Sequence, residues 1–179
     1  MTKKRNKTTI IIICAILILI ILAFFYVSIQ KRGDKSSTIN VYFSPNNGVM
    51  DRIVSEINNA KSSIDIAMYC FTKREIAQAI IKAKKRGVNI RIVLDKRSSS
   101  NKYSKFRFFK NNGINPKIMG KTMHNKFAVI DKKLLITGSY NWTANAERNN
   151  YENILFVRKS PNVIKAYLKE FEGLWRMGE

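Results

Sequence analysis

The chain is poor in the residues that build metal sites and disulfide frameworks. Among its 179 residues are one histidine, two cysteines and three prolines. Cys14 lies inside a long apolar stretch and Cys70 follows an apparent core strand, so the two cannot pair within one chain. One histidine without a Cys-x-x-Cys motif offers no plausible zinc site. We therefore expect no disulfide framework, no metal and no cofactor.

Acidic residues are also scarce. The sequence has 33 Lys and Arg against 12 Asp and Glu, a formal net charge of +21. After residue 35 the balance is 26 against 11, which leaves +15 on that part. Such an excess favours a polyanionic partner, either nucleic acid or an anionic lipid surface, and does not choose between them.

One long apolar run stands near the N-terminus. Residues 8–30 carry no charge and residues 10–29 are almost wholly apolar, enough for a helix to span a bilayer. A signal peptide also begins with basic residues, but its apolar core is usually shorter and ends at small residues. Here the run ends in Phe-Phe-Tyr-Val-Ser-Ile-Gln without a clear cleavage site. We favour an uncleaved single-pass anchor; secretion after signal cleavage is the alternative.

Charges flanking this run give a weak preference for its orientation. Four cations precede it, and three follow it that Asp34 partly offsets. The N-terminus would then lie inside, and the rest of the chain outside the cytoplasm.

The pattern divides the chain into an anchor or signal peptide (1–30), a polar linker (31–38) and one domain (39–179). Apolar spacing predicts strands near residues 39–43, 64–68, 88–94 and 153–158, and helices near 49–60, 76–83 and 163–175. Two successive strand–helix–strand units argue for covering helices and a sheet with parallel portions. We expect an α/β/α sandwich with a mixed, partly parallel sheet, preceded by one N-terminal transmembrane helix.

A group of chemically active residues lies in the second half of the domain. His124 and Lys126 are two apart, so on a strand their side chains leave the same face. Two apolar runs follow, and the second ends in a turn with Ser139 and Asn141. An imidazole nucleophile, a cation and hydrogen-bond donors suit attack on a phosphate ester.

These residues form the pattern H-x-K-x4-D-x6-G-S-x-N, which resembles the signature of the phospholipase D superfamily. Further stretches resemble its short bacterial non-specific endonucleases, and the likeness covers roughly residues 39–178. These stretches are residues 43–45, 67–72, 85–88, 93–95 and 150–153.

The resemblance implies a phosphodiesterase that works through a phosphohistidine. His124 would be the nucleophile, and a second His124 the general acid and then base. Lys126 and Asn141 would hold the phosphate oxygens. Because the chain has one histidine, a two-histidine mechanism within one chain is impossible. The resemblance implies a homodimer with a shared active site.

Three further residues complete the candidate site. Ser139 would order the turn and donate a hydrogen bond at or beside the phosphate. Glu152, which matches the family's position, would accept from the far nitrogen of the imidazole. Asp131 would support the hairpin and the neighbouring lysines, and Trp142 would serve packing.

The substrate stays open between nucleic acid and membrane phospholipid. A non-specific endonuclease is the preferred interpretation because the domain is so basic; a phospholipase D that releases headgroups is the alternative because the anchor would hold the site near a membrane. Residues 96–110 interleave six cations with four aromatic rings, which suits single-stranded nucleic acid. For Phe106 and Phe109 we favour a place in the core.

Overall fold

The computed structural model describes residues 2–31, 37–45 and 47–179. The chain divides into two units, residues 1–36 and 37–179. Most of the expected linker (31–38) falls on residues 32–36, and the turn expected at 45–48 includes residue 46. These six positions lie outside the described residues.

The described residues of the first unit form one helix, α1 (Thr2–Lys31). Its stretch Thr9–Tyr26 has 18 apolar or uncharged residues, none of them buried. At 1.5 Å per residue this stretch is about 27 Å long, close to the thickness of a bilayer core. The helix is therefore long and apolar enough to cross a membrane, a property that it shares with signal sequences.

The second unit is built on one seven-stranded sheet, with strand order β1-β7-β6-β5-β2-β3-β4. Strands β2, β3 and β4 run parallel, and the other neighbouring pairs are antiparallel. The sheet is thus mixed, as predicted; the short β4 was not predicted. The strands are β1 (Thr38–Ser44), β2 (Ser63–Met68), β3 (Asn89–Asp95), β4 (Lys117–Met119), β5 (Lys126–Ile130), β6 (Leu134–Gly138) and β7 (Glu152–Arg158).

Helices cover both faces of the sheet and confirm the α/β/α arrangement. Alternation along β5 shows the two layers: Phe127 and Val129 pack with α7, whereas Ala128 and Ile130 pack with α2 and α3. The helices are α2 (Val49–Asn59), α3 (Arg74–Lys85), α4 (Lys96–Ser99), α5 (Phe106–Asn111), α6 (Ala144–Arg148) and α7 (Pro161–Met177).

The pairing register gives the sheet two distinct ends. At one end, which we name the Lys126 end, β5 begins and β6 finishes, and the same end holds the start of β7 and the finish of β1, β2 and β3. At the other, the Thr38 end, β1 begins opposite the last residue of β7, and β5 turns into β6. Each strand end therefore delivers its flanking loop to a defined end of the sheet.

Asp131 ties the β5–β6 turn to the start of β2 at the Thr38 end. Its carboxylate accepts the backbone N–H groups of Lys61, Ser62 and Ser63 at 2.7–3.2 Å. Burial alone would raise the pKa of Asp131, but these donors together lower it below its ordinary value. The carboxylate thus holds two segments nearly seventy residues apart.

We expect Asp131→Asn to reduce the free energy of unfolding by about 1–3 kcal/mol at pH 7, because the amide keeps one acceptor oxygen but loses the negative charge and the second oxygen, which accepts from Lys61 N–H. A carboxylate with a lowered pKa in the folded state stabilises it fully above the unfolded pKa of about 3.9. That contribution is lost as pH falls through the folded pKa. The difference between wild type and variant, measured by urea unfolding, should therefore shrink below about pH 4.

Asp51→Asn is the matched control, since it removes an exposed carboxylate from the first turn of α2. An equal loss in this control, or a pH-independent difference for Asp131→Asn, would contradict the proposed clamp.

Candidate active site

His124 and Lys126 contact each other at the Lys126 end of the sheet. The structure begins β5 at Lys126 and leaves His124 in the preceding loop, whereas the sequence had suggested one strand for both. Lys126 Nζ lies 3.1 Å from His124 Nδ1 and donates to the His124 carbonyl oxygen at 2.8 Å. An ammonium group only donates, so in this contact Nδ1 acts as the acceptor.

Tyr69 packs against both members of this pair, a role that its sequence position did not predict. Its ring centroid lies 4.4 Å from that of His124, and Lys126 Nζ lies 4.9 Å from the same tyrosine ring. Tyr69 directly follows β2, whose last residue pairs with Lys126. The end of that predicted strand was the signal that could have identified it.

Burial changes the acidity of the lysine. Partial desolvation lowers the pKa of Lys126, and the nearby Glu152 and Cys70 oppose that effect without cancelling it. Partial burial thus disfavours the charged form of Lys126. Because less water screens its ammonium group there, that group attracts an approaching anion more strongly.

The loop before His124 is fixed by a buried carboxylate at the end of β3. Asp95 is 2% exposed and accepts the backbone N–H of Met123 at 3.1 Å. Its other oxygen accepts from Ser98 N at 2.9 Å and caps α4. Asp95 therefore positions the residue next to the histidine.

The turn after β6 approaches β7 so closely that only glycine fits at its start. A Cβ on Gly138 would lie 2.2 Å from the carbonyl oxygen of Asn153. Ser139 then bonds to the first two residues of β7: its N–H donates to Asn153 Oδ1 at 2.9 Å and its hydroxyl to Glu152 at 2.5 Å. Gly138 is therefore required by the close approach of the two strands, and Ser139 fixes the turn to β7 through its two hydrogen bonds.

Glu152 differs from its expected role in this arrangement. Its carboxylate accepts from Ser139 Oγ and, at 3.0 Å, from Asn150 Nδ2. Across the described residues it makes no hydrogen bond with His124, whose Nδ1 is engaged by Lys126. Glu152 therefore orders the serine turn here and lies close enough to Lys126 to oppose part of the lowering of the lysine pKa.

Asn141 presents a free donor beside the site. Its Oδ1 accepts from Cys70 N at 3.2 Å, which fixes the amide. Within the described chain its Nδ2 has no hydrogen-bond partner. The following Trp142 is buried and packs on Phe71, as predicted from the sequence.

Five of the six candidate residues therefore belong to the Lys126 end, and the structure does not bring Asp131 to them. Asp131 lies at the Thr38 end, beyond the far end of β5. In the ranges that the structure describes, no three His, Cys, Asp or Glu residues are grouped so as to hold a metal ion.

Next to Asn141 a shallow depression of about 560 Å³ opens toward the basic segment at 96–110. Cys70, Tyr103 and Lys105 also line it. Tyr103 is 62% exposed, with Lys102 Nζ 5.0 Å from its ring centroid. In contrast, Phe109 is fully buried and Phe106 packs partly against the core, as predicted.

Comparison with known proteins adds a family to this geometry. Residues 53–175 match the family model described as "Cardiolipin synthase, PLD-like domain". The chain is 33% identical over 129 residues to a mitochondrial cardiolipin hydrolase of Mus musculus, covering 70% of this chain and 58% of that protein. It is 34% identical over 138 residues to a phospholipase D of Rickettsia conorii, covering 75% and 68%.

Solved structures show the same fold in two bacterial proteins. Nuc from Salmonella typhimurium, described as a phospholipase D family member, superimposes with a TM-score of 0.76 at 30% identity and covers 80% of this chain and 97% of that one. NucT from Helicobacter pylori gives a TM-score of 0.74 at 26% identity, covering 80% and 98%. The chain spans little more than half of the mouse relative's length, yet the family match covers well over half of this sequence. This protein therefore belongs to the phospholipase D superfamily.

Proposed function

We propose that the protein is a phosphodiesterase in which His124 attacks the phosphorus atom of a phosphodiester. The observation that carries this proposal is the contact of His124 with Lys126 at a sheet end that also holds Ser139 and Asn141. The attack forms a P–N bond and breaks a P–O bond, and the leaving oxygen takes a proton. Water then breaks the P–N bond and releases the histidine.

Lys126 and Asn141 would bind the phosphate oxygens. An incoming phosphate would draw the Lys126 ammonium away from His124 Nδ1, because an anion is the stronger acceptor. The free Nδ2 of Asn141 supplies a second donor. Ser139 and Glu152 would keep the turn in place, and Asp131 would support the hairpin from its far end.

The reaction needs a second acid/base group near neutral pKa, and histidine suits that task. The chain has one histidine, so we propose a homodimer in which two copies of His124 meet at one phosphate about a two-fold axis. One copy would be the nucleophile and the other would protonate the leaving oxygen and later activate water.

Nucleic acid is the substrate class that we favour. The exposed ring of Tyr103 and the cations around it lie along the depression that ends at Asn141. Basic residues neutralise phosphates along a strand, and an exposed aromatic ring stacks on a base. Endonuclease activity would use both.

A phospholipase D activity is the second candidate, supported by a different observation. The N-terminal helix α1 is long enough to hold the domain at a membrane, and named relatives are a cardiolipin hydrolase and a phospholipase D. In this case the leaving group would be a lipid headgroup. For either substrate we propose residues 1–30 as the anchor and residues 39–179 as the catalytic domain outside the cytoplasm.

Tyr103→Ala should lower kcat/KM on single-stranded DNA by about 5- to 100-fold, the loss of one base stack. Tyr103→Phe is the matched variant and should retain most activity because it keeps the ring. A small chromogenic diester such as bis(p-nitrophenyl) phosphate should lose far less, since it does not extend along the depression. Equal losses on both substrates would contradict a nucleic-acid track, and cleavage of liposomes alone would favour the phospholipase.

The lowered pKa of Lys126 predicts that activity falls at a lower alkaline pH than an ordinary lysine would allow. The cation is lost as pH rises through the lowered pKa, so kcat/KM should begin to fall below the ordinary lysine value of 10.5. Lys126→Arg keeps the charge at all accessible pH values, and its residual activity should lack this limb or show it at higher pH. An unchanged alkaline limb in Lys126→Arg would assign it to another group.

The shared site is tested by mixing subunits. When wild-type chains exchange with His124→Ala chains, activity should fall close to the square of the wild-type fraction, because only all-wild-type dimers keep both imidazoles. Independent sites instead predict a fall in direct proportion to the mutant fraction. A fully active protein that sediments as a monomer would also contradict the dimer.

All arms of this experiment should contain EDTA, because the proposed displacement uses no metal. Activity that vanished in EDTA and returned with zinc or magnesium would show that the phosphohistidine mechanism is wrong, whatever the shape of the titration.

A further inference from the structure

The Thr38 end of the sheet carries a basic surface that the proposed reaction does not use. We define this basal face by Lys132, Lys133, Arg158 and Lys159, which surround a depression of about 390 Å³. Its apolar lining comes from Leu134, Pro161 and Ile164. The face therefore combines a rim of cations with an apolar floor.

The three lysines of the basal face form no ion pair in the described chain, although Glu172, whose carboxylate pairs with Arg91, lies near enough to Lys132 to interact with it. Within the described ranges none of them lies within 4 Å of a carboxylate. Arg158 is different because it pairs with Glu56 at 2.5 Å. The nearest acid in sequence, Asp131, is engaged by backbone N–H groups of the β2 segment. The net charge of the face is thus carried by Lys132, Lys133 and Lys159.

The short connection between α1 and β1 limits how far the basal face can lie from the end of α1. Helix α1 ends at Lys31 and β1 begins at Thr38, which pairs with Arg158 of the basal face. Seven residue steps reach at most about 25 Å. If α1 spans a membrane, the Thr38 end cannot leave the neighbourhood of that membrane's surface.

From these observations we propose that the basal face docks on an anionic lipid surface. Lipid phosphates match the three unpaired lysines, and the apolar floor suits the glycerol and first methylenes of a lipid. Each cation close to an anionic bilayer strengthens binding by about fivefold. The charge of the face selects one orientation among those that the short connection permits.

Docking in this way turns the active site away from the membrane. Strand β7 runs seven residues from Glu152 at the site to Arg158 on the basal face. At 3.3 Å per residue the two ends are about 20 Å apart. The site would then face the aqueous phase or an opposing membrane, beyond reach of lipids in the leaflet on which the domain rests.

The inference is tested on the full chain in lipid nanodiscs, by hydrogen exchange of residues 131–134 and 158–161. Exchange should be slower in discs that contain phosphatidylglycerol than in pure phosphatidylcholine discs. The difference should disappear in about 0.5 M salt, where the screening length is only about 4 Å. The triple variant Lys132→Gln, Lys133→Gln and Lys159→Gln should weaken docking on the order of 100-fold and remove the protection.

A matched triple variant removes the same charge from the Lys126 end: Lys96→Gln, Lys102→Gln and Lys121→Gln. It should keep the protection. Equal protection of wild type in neutral discs would overturn the proposal, as would equal loss in the matched variant. Protection that required an added oligonucleotide would make the basal face a nucleic-acid site instead. Because exchange does not report catalysis, failure here leaves the proposed reaction standing, and loss of activity alone does not affect the docking.

Discussion

The antiparallel register of β5, β6 and β7 is the constraint on which the candidate site depends. It brings the start of β5, the end of β6 and the start of β7 to one end of the sheet. A slip by one residue would reverse every side chain between the two faces. Two features oppose such a slip: the Asp131 carboxylate holds the β5–β6 turn on β2, and Gly138 allows contact with β7 that no larger residue permits.

The sequence predicted the architecture well, and it picked out candidate site residues of which the structure brings five to one end of the sheet, because both leave short-range patterns. Apolar alternation revealed β2 and β3, a continuous apolar run revealed β5, and the spacing of His124, Lys126, Ser139 and Asn141 marked the candidate site. The partners that come from distant segments were harder to predict. Tyr69, Asp95 and Asn153 act through positions fixed only by strand pairing, and β4 has three residues, too few for a periodic signal. Glu152 bonds to Ser139 and not to His124 for the same reason. Strand pairing decides its neighbours, and Lys126 already contacts Nδ1 of the imidazole.

The positive charges of the domain lie at both ends of the sheet, and only those at the Lys126 end adjoin the candidate active site. At the Lys126 end, the partly buried Lys126 lies near Glu152, Lys105 lines the depression beside Asn141, and Lys102 lies against the exposed ring of Tyr103. At the Thr38 end, three lysines stand without carboxylate partners within the described chain. A net charge of +21 therefore does not describe one uniform polyanion-binding surface. Two separate surfaces can serve two different anions, one as a substrate and one as a support.

This separation bears on the choice between nucleic acid and phospholipid. A membrane anchor by itself favours a lipid substrate, because it raises the local concentration of headgroups. The course of β1 within the domain works against that argument: the strand begins at Thr38 on the basal face and ends at Ser44 beside Glu152, at the opposite end of the sheet. A domain resting on its basal lysines would expose its site to solvent about 20 Å from the surface. If the domain is anchored and docks in this way, its site is suited to polymers that arrive from solution, so the proposed anchor and the proposed nuclease activity are compatible.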